Sequence, residues 1–282
     1  MRHLRLPVPS RRVASSVGAL MAATLFGAAV ATAAGPSIQT FTPHSANQIT
    51  NIDVLRQQIR NYYGDPLGSG VFADDSYYAR EARSVAKAGS RYLAGVAHWP
   101  NPSMKAIILD VDDTTLATWN YEVFSNWAYN PTTNAQYVND QLFPAVPGMP
   151  DMVTKAQSEG YAIIFITGRP ATQETATLGN LGSDGVGVDA GYPVPTTLVD
   201  GEDGLFTKPA VADYPAYLQT ACADQIALGK SCTTIEYKSA TRAHIESLGY
   251  HIVADFGDQY SDYTGGHGGV FFKMPNPNYY LP

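Results

Sequence analysis

Two carboxylates one residue apart, Asp110 and Asp112, stand directly after the apolar run Ala106-Ile107-Ile108-Leu109. Acids in such close quarters at the end of a buried segment lose solvation, and each raises the cost of ionising the other. A divalent cation relieves that repulsion. No cluster of histidines or cysteines accompanies these acids, so the donors are oxygens, and an oxygen-only set favours a hard ion such as Mg²⁺ over zinc. The predicted ligands are Asp110, the Val111 to Asp112 backbone, and a third acid, Asp258, from Gly257-Asp258-Gln259-Tyr260-Ser261-Asp262.

Phosphoryl transfer asks for neutralised charge, fixed phosphate oxygens, an in-line nucleophile and a proton donor for the leaving oxygen. Each requirement has a candidate. Asp110 can attack phosphorus to form an aspartyl-phosphate, and Asp112 can protonate the departing alcohol and then deprotonate the hydrolytic water. Thr167 and Gly168, in Thr167-Gly168-Arg169, offer a hydroxyl and backbone N–H groups to phosphate, and Lys238 in Glu236-Tyr237-Lys238-Ser239 offers a point charge. Lys208, in Phe206-Thr207-Lys208-Pro209, is the rival lysine. It ranks second because Pro209 and its distance from the Asp258 segment fit less well. Thr114 is expected to orient the loop, Asp262 to support the metal acids, and Asp113 to cap or support rather than react.

These groups need a scaffold. Residues 106–109, 161–166 and 251–256 are short uninterrupted apolar runs, the pattern of buried parallel strands, and each ends in a polar segment. Helical stretches lie between and after them: Met149 to Ser158, Ala171 to Leu181, and Ser239 to Leu248. Alternating strands and helices predict an α/β fold, a Rossmann-like parallel sheet flanked by helices, with ligands at the carboxyl ends of the strands. Two helices precede this core, one with Ile49, Ile52, Leu55, Ile59 and Tyr62 on a face, the other running from Tyr78 to Val96. The stretch between Trp119 and Pro147 is too short for a large cap domain, and residues 184–232 read as loop-rich, so an open site is expected. Gly265-Gly266-His267-Gly268-Gly269 lacks the Gly-Lys-Ser/Thr ending of a phosphate loop and reads as a flexible connection.

The chain has 282 residues, 45% apolar and 15% charged, a globular composition. Arg2, Arg5, Arg11 and Arg12, the Ala/Gly/Leu/Val stretch Val13 to Val30 and the small-residue site Ala31-Thr32-Ala33 together predict an export signal over residues 1–33, with a linker and helical segment over 34–99 and the core over 100–282. The expected mature protein is secreted and has no stable membrane anchor. Its formal charge is more negative than the −7 of the whole chain, because the leader carries arginines and no acid, and such a body is a poor nucleic-acid binder. In an oxidising compartment Cys222 and Cys232 read as a disulfide closing a short loop; two free thiols or half of a metal site are the alternatives, and no neighbouring histidine supports the latter.

The four segments resemble, in order and spacing, the four motifs of the haloacid-dehalogenase (HAD) superfamily, and in particular its class B and C acid phosphatases and the related plant acid phosphatases and vegetative storage proteins. Tyr237-Lys238-Ser239 with Arg242, Gly257-Asp258-Gln259 with Ser261-Asp262, and Phe272-Lys273-Met274-Pro275-Asn276-Pro277 carry the likeness to this subgroup. The resemblance implies a Mg²⁺-dependent phosphatase with Asp110 as nucleophile, Asp112 as acid/base, Thr167 and Lys238 as phosphate partners and Asp258 as metal acid. Its substrates would be small phosphate monoesters: nucleotides, sugar phosphates or aromatic phosphates. Aromatics after the nucleophile hold the organic part of the substrate in class C relatives, which makes Trp119 and Tyr121, with Arg169, candidate substrate contacts. A storage or binding protein on the same fold is the alternative; retention of Asp110, Asp112, Thr167 and Lys238 favours activity.

Overall fold

The computed structural model describes residues 41–98, 103–182 and 185–281. The expected export signal, the first part of the linker and the expected boundary at residue 100 lie outside the described residues.

Five strands form one sheet: β1 (Met104–Leu109), β2 (Ala162–Pro170), β3 (Leu205–Lys208), β4 (Tyr250–Gly257) and β5 (Val270–Lys273), in the order β3-β2-β1-β4-β5. Every pairing is parallel. β1 is central, with Ile107 beside Ile163 on one side and Ala254 on the other. Alternation along the strands sends Ile107, Leu109, Ile163, Phe165 and Phe256 into one core and Ala106, Ile108, Ile164, Ile166 and Ile252 into a second. Apolar residues are therefore needed at positions 106–109 of β1, which are buried on both faces, and each buried Ile or Leu contributes roughly 1.5–3 kcal/mol.

The helices are α1 (Ile52–Tyr62), α2 (Tyr77–Val96), α3 (Trp119–Ser125), α4 (Pro131–Asn139), α5 (Met149–Ser158), α6 (Glu174–Leu181), α7 (Ala216–Ala221), α8 (Ala223–Ala227) and α9 (Thr234–Ser247). α2 and α5 pack on each other and fill the first core with Ala82, Leu93, Met152 and Val153. α7 and α9 cover the opposite face through Leu218, Ala240 and Ile245. Gly89 lets α2 approach β4 closely, since a Cβ there would stand 2.5 Å from the Phe256 ring. None of the described helices is long and apolar enough to cross a membrane.

Several elements differ from the sequence expectation. α9 begins at Thr234, not Ser239, because Thr233 closes a capping box: its Oγ1 accepts from the Glu236 N–H at 3.2 Å while Glu236 accepts from the Thr233 N–H at 2.7 Å. β3 and β5, absent from the sequence reading, are four-residue strands at the two sheet edges, too short to leave a periodic pattern. The glycine run 265–269, expected as a flexible connection, is tethered at its start. The buried Arg242 guanidinium donates to the carbonyls of Asp262, Tyr263 (3.1 Å), Thr264 (2.7 Å) and Gly266 (2.9 Å). Cys222 and Cys232 form a disulfide within the second core.

The N-terminal helices are joined to the core by an aromatic stack. The Tyr63 ring lies between Tyr78 (centroids 4.3 Å apart) and Trp119 (4.1 Å), and the Trp119 Nε1–H donates to Asp65 at 3.0 Å. Asp65 also accepts from the N–H groups of Ser69 and Gly70, so its carboxylate is fully used. Trp119→Ala removes the last ring of this stack and strands part of the Asp65 carboxylate. It should lower the unfolding free energy by about 3–5 kcal/mol, read from urea denaturation.

Candidate active site

The parallel sheet brings three predicted segments to the carboxyl ends of adjacent strands. Asp110 follows β1, Thr167 lies near the end of β2 and Asp258 follows β4. Lys238 arrives from the second turn of α9, a position that depends on the early start of that helix.

Asp110 is buried, and its N–H donates to the Phe256 carbonyl at 2.9 Å, continuing the β1–β4 pairing by one residue. Its carboxylate accepts from Lys238 Nζ at 2.5 Å, and the same ammonium donates to Asp262 at 2.5 Å. Asp258 accepts from Gln259 Nε2 (2.5 Å) and Asn276 Nδ2 (2.6 Å), and more distantly from Thr114 Oγ1 (3.4 Å). Asp262 also accepts from the Gln259 N–H at 2.8 Å. Gly257 is required here, for a Cβ at that position would meet the Asp262 carboxylate at 2.3 Å.

Carboxylate oxygens of Asp110, Asp258 and Asp262 lie within 4.8 Å of one another, all three residues buried. Burial pushes the Asp110 carboxyl up; Lys238 opposes this, while Asp262 and Asp112 add to it. Burial also raises Asp258 well above the carboxylate range, reinforced by Asp262, Asp110 and Asp113. Against the cost of its own burial, Asp110 and Asp262 hold Lys238 protonated. Three buried acids thus stand together with one ammonium, which pairs with two of them. That oxygen-only, over-negative donor set fits a hard divalent cation, and Asp110, Asp258 and Asp262 are the residues that would hold it. Asp262, expected in a supporting role, is inside this cluster.

Asp112 is not. Its carboxylate faces Arg169, which donates from Nη2 at 2.7 Å and Nε at 3.1 Å in a two-pronged pair, while Arg169 Nη1 donates to Thr177 at 3.0 Å. Arg169 is only 5% exposed and lies over the Phe143 ring. Its donors are committed to an acid and a threonine, so it positions Asp112 where the sequence suggested a substrate contact. The other two candidate substrate contacts are also internal. Trp119 (0% exposed) belongs to the stack with Tyr63, and Tyr121 (1% exposed) donates its hydroxyl to the Asn130 carbonyl at 2.9 Å. Both rings pack beneath the loop and offer no face to a ligand.

Asp113 takes a left-handed backbone (φ 54°) and is fully buried. It accepts from the Thr118 N–H (3.0 Å) and hydroxyl (2.6 Å), fastening the loop after Asp110. Thr167 is buried, with its Oγ1 accepting from the Arg169 N–H at 3.2 Å. Gly168 is exposed, and nothing lies within 4 Å of where its Cβ would be, which leaves open space beside the Thr167 backbone. The rival Lys208 donates to the Cys232 carbonyl at 2.6 Å and has no contact with Asp110. Gln259 and Asn276, which fix Asp258, were given no role from the sequence; Asn276 belonged to a quoted motif whose purpose only the fold reveals.

The family model described as HAD superfamily, subfamily IIIB (Acid phosphatase) matches residues 21–282. A stem 28 kDa glycoprotein of Glycine max is 29% identical over 179 residues, covering 62% of this chain and 59% of the relative. Vegetative storage protein 1 of Arabidopsis thaliana is 25% identical over 242 residues (84% and 75%), and acid phosphatase 1 of Solanum lycopersicum 26% over 183 residues (62% and 58%). The match thus spans about six-tenths of the length of the Glycine max relative. Among solved structures, the class C acid phosphatase from Bacillus anthracis with tungstate bound superposes with a TM-score of 0.56 at 19% identity, covering 80% of this chain and 85% of that one. At that identity the likeness is one of fold.

Two outcomes test the electrostatics. Lys238→Ala leaves Asp110 and Asp262 buried without their cation, so in metal-free buffer at neutral pH it should cost about 3–5 kcal/mol of stability, with a smaller loss in acid where the carboxyls take up protons; urea unfolding at both pH values measures this. Asp255, beneath the Arg242 clamp, is pushed up to about 6, chiefly by burial and against Arg242. The folded state therefore binds that proton more tightly than the unfolded chain, and Asp255 subtracts stability as pH rises from about 4 to about 6. Asp255→Asn should flatten the dependence of the urea midpoint on pH across that window.

Proposed function

Because this chain belongs to the acid phosphatases of HAD subfamily IIIB, we propose that it hydrolyses small phosphate monoesters through an aspartyl-phosphate on Asp110. The observation that carries this reading is the buried Asp110 carboxylate held at 2.5 Å by Lys238 at the end of the central strand, with Asp258 and Asp262 beside it. A nucleophile with one oxygen fixed by an ammonium has its other oxygen free for in-line attack on phosphorus.

In the first step an Asp110 oxygen bonds to phosphorus and the ester oxygen leaves with a proton from Asp112. In the second, Asp112 takes a proton from water, whose oxygen attacks phosphorus and releases phosphate and the free Asp110 carboxylate. Arg169 keeps the Asp112 carboxylate in one orientation through its two hydrogen bonds, which suits a group that must meet first an alcohol and then a water. The Thr167 and Gly168 backbone and the Lys238 ammonium are the phosphate-binding groups of this scheme, and the open space at Gly168 admits phosphate oxygens. Mg²⁺, bound by the acids, would supply charge neutralisation on the transferring phosphoryl group. Export is part of the same proposal, and the Cys222–Cys232 disulfide suits an oxidising compartment.

A second reading, a storage protein without turnover, is favoured by the vegetative storage protein among the relatives. Asp110, Asp112, Thr167 and Lys238 are all present here, which supports the enzymatic one. The test is a panel of nucleotide, sugar and aromatic phosphates assayed with Mg²⁺ and with EDTA. Hydrolysis by the parent, lost in EDTA and lowered by at least about 10³-fold in Asp110→Asn, is expected. Equal turnover by Asp110→Asn would exclude the covalent route, and no turnover by the parent on any ester would favour storage.

A further inference from the structure

The amino ends of the strands carry a second group of metal-binding side chains, opposite the edge that holds Asp110. Asp200 and Glu202 lie on the turn that leads into β3, where the Leu198 N–H donates to the Glu202 carbonyl at 2.8 Å and the Gly201 N–H to the Leu198 carbonyl at 3.0 Å. His244 comes from the last turns of α9. Its Nε2 stands 3.6 Å from an Asp200 oxygen and 3.8 Å from a Glu202 oxygen, and all three ligand atoms lie within 4.8 Å of one another.

Those separations are too long for hydrogen bonds. The His244 Nε2 atom is nonetheless fully covered and has no hydrogen-bond partner. A covered, unsatisfied ring nitrogen aimed between two carboxylates is costly unless something sits between them. Donors on a zinc ion with bonds of 2.0–2.2 Å stand about 3.3–3.6 Å apart, close to the spacing found. The ring is also pre-oriented, because Tyr217 stacks on it with centroids 4.4 Å apart and planes 3° from parallel. Asp200 and Glu202 remain partly exposed, which leaves an entry path and room for a water as further ligand.

We propose that His244, Asp200 and Glu202 form a second divalent-cation site, selective for zinc over magnesium. One imidazole with two carboxylates is a borderline donor set, suited to zinc, whereas magnesium takes oxygen alone and keeps its waters. The ion would fasten the turn before β3 to the end of α9, so its role is structural. The inference does not depend on the phosphatase reading, and its test can fail or succeed independently of turnover.

The test is calorimetric titration of the full-length, EDTA-stripped protein with Zn²⁺ in millimolar Mg²⁺, which occupies the oxygen cluster around Asp110, with melting temperature followed in parallel. The parent and Asp258→Asn should each take up a zinc equivalent at this site and melt higher with it. His244→Gln and the double variant Asp200→Asn/Glu202→Gln should weaken that uptake by at least about tenfold and lose the rise. The double variant alters exposed side chains and keeps the Tyr217–His244 stack, so it remains informative if His244→Gln folds poorly. No uptake by the parent, equal uptake by the double variant, or loss of uptake in Asp258→Asn alone would overturn the proposal.

Discussion

The carboxyl edge of the sheet depends on one buried ammonium. Lys238 bridges Asp110 and Asp262 at 2.5 Å each, and without it the chain would hold three acids in a space from which water is largely excluded. Taking a charge out of water costs several kcal/mol even after relaxation, so such a cluster survives folding only when a cation is built into it. The lysine meets part of that need from within the chain and leaves a negative excess, which is the condition for capturing a divalent ion. A fold that neutralised the acids completely would be more stable and would offer less attraction to a divalent cation.

Holding those charges in register requires rigid neighbours. The loop after β1 is fixed by its own side chains: Asp113 grips Thr118, and the Thr115 hydroxyl donates to the carbonyls of Asp110 and Val111, both at 3.1 Å. The residue after Thr118, Trp119, carries this loop into the aromatic stack with Tyr63 and Tyr78, so α1 and α2 act as a backing for the loop that follows Asp110. From the far side the chain returns to the same place, where Asn278 donates to the Tyr63 hydroxyl at 2.9 Å and Asn276 to Asp258 at 2.6 Å. Sequence-distant segments thus meet within one layer beneath the acids.

Much of this was legible in the sequence for a definite reason. Uninterrupted apolar runs that stop at polar groups mark buried strands whose carboxyl ends can carry chemistry, and that pattern is enough to single out Asp110, Thr167 and Asp258. What was hidden depends on contacts between distant residues. Nothing local says that Arg169 will turn back onto Asp112 across an adjacent strand, that Trp119 will be taken by Tyr63, or that Asp262 will reach Asp110 and Asp258. Each is settled by side-chain packing after the sheet forms. β3 and β5 were missed for a different reason: four-residue edge strands bury too little to leave a pattern. The start of α9 was readable in principle, since Thr233 and Glu236 have the capping-box spacing, but the apolar periodicity there is weak and drew the boundary five residues late.

α9 runs against the strands, so its two ends serve opposite edges of the sheet. Lys238 and His244 are six residues apart, about 9 Å along the axis. Between them Arg242, fully buried, reaches the carbonyls of the segment that carries Asp262. One helix therefore sets the position of the ammonium, the backbone beneath one acid of the buried cluster, and the imidazole at the far edge. A helix of this length is stiff, and its register along the sheet is a single degree of freedom. Sliding it by even a fraction of a turn would separate Lys238 from Asp110 and His244 from Asp200 together. The Lys238 contacts to Asp110 and Asp262 and the Arg242 hydrogen bonds to the carbonyls of residues 262–266 thus restrain the same motion, the one that would undo the 2.5 Å contact on which the acids depend.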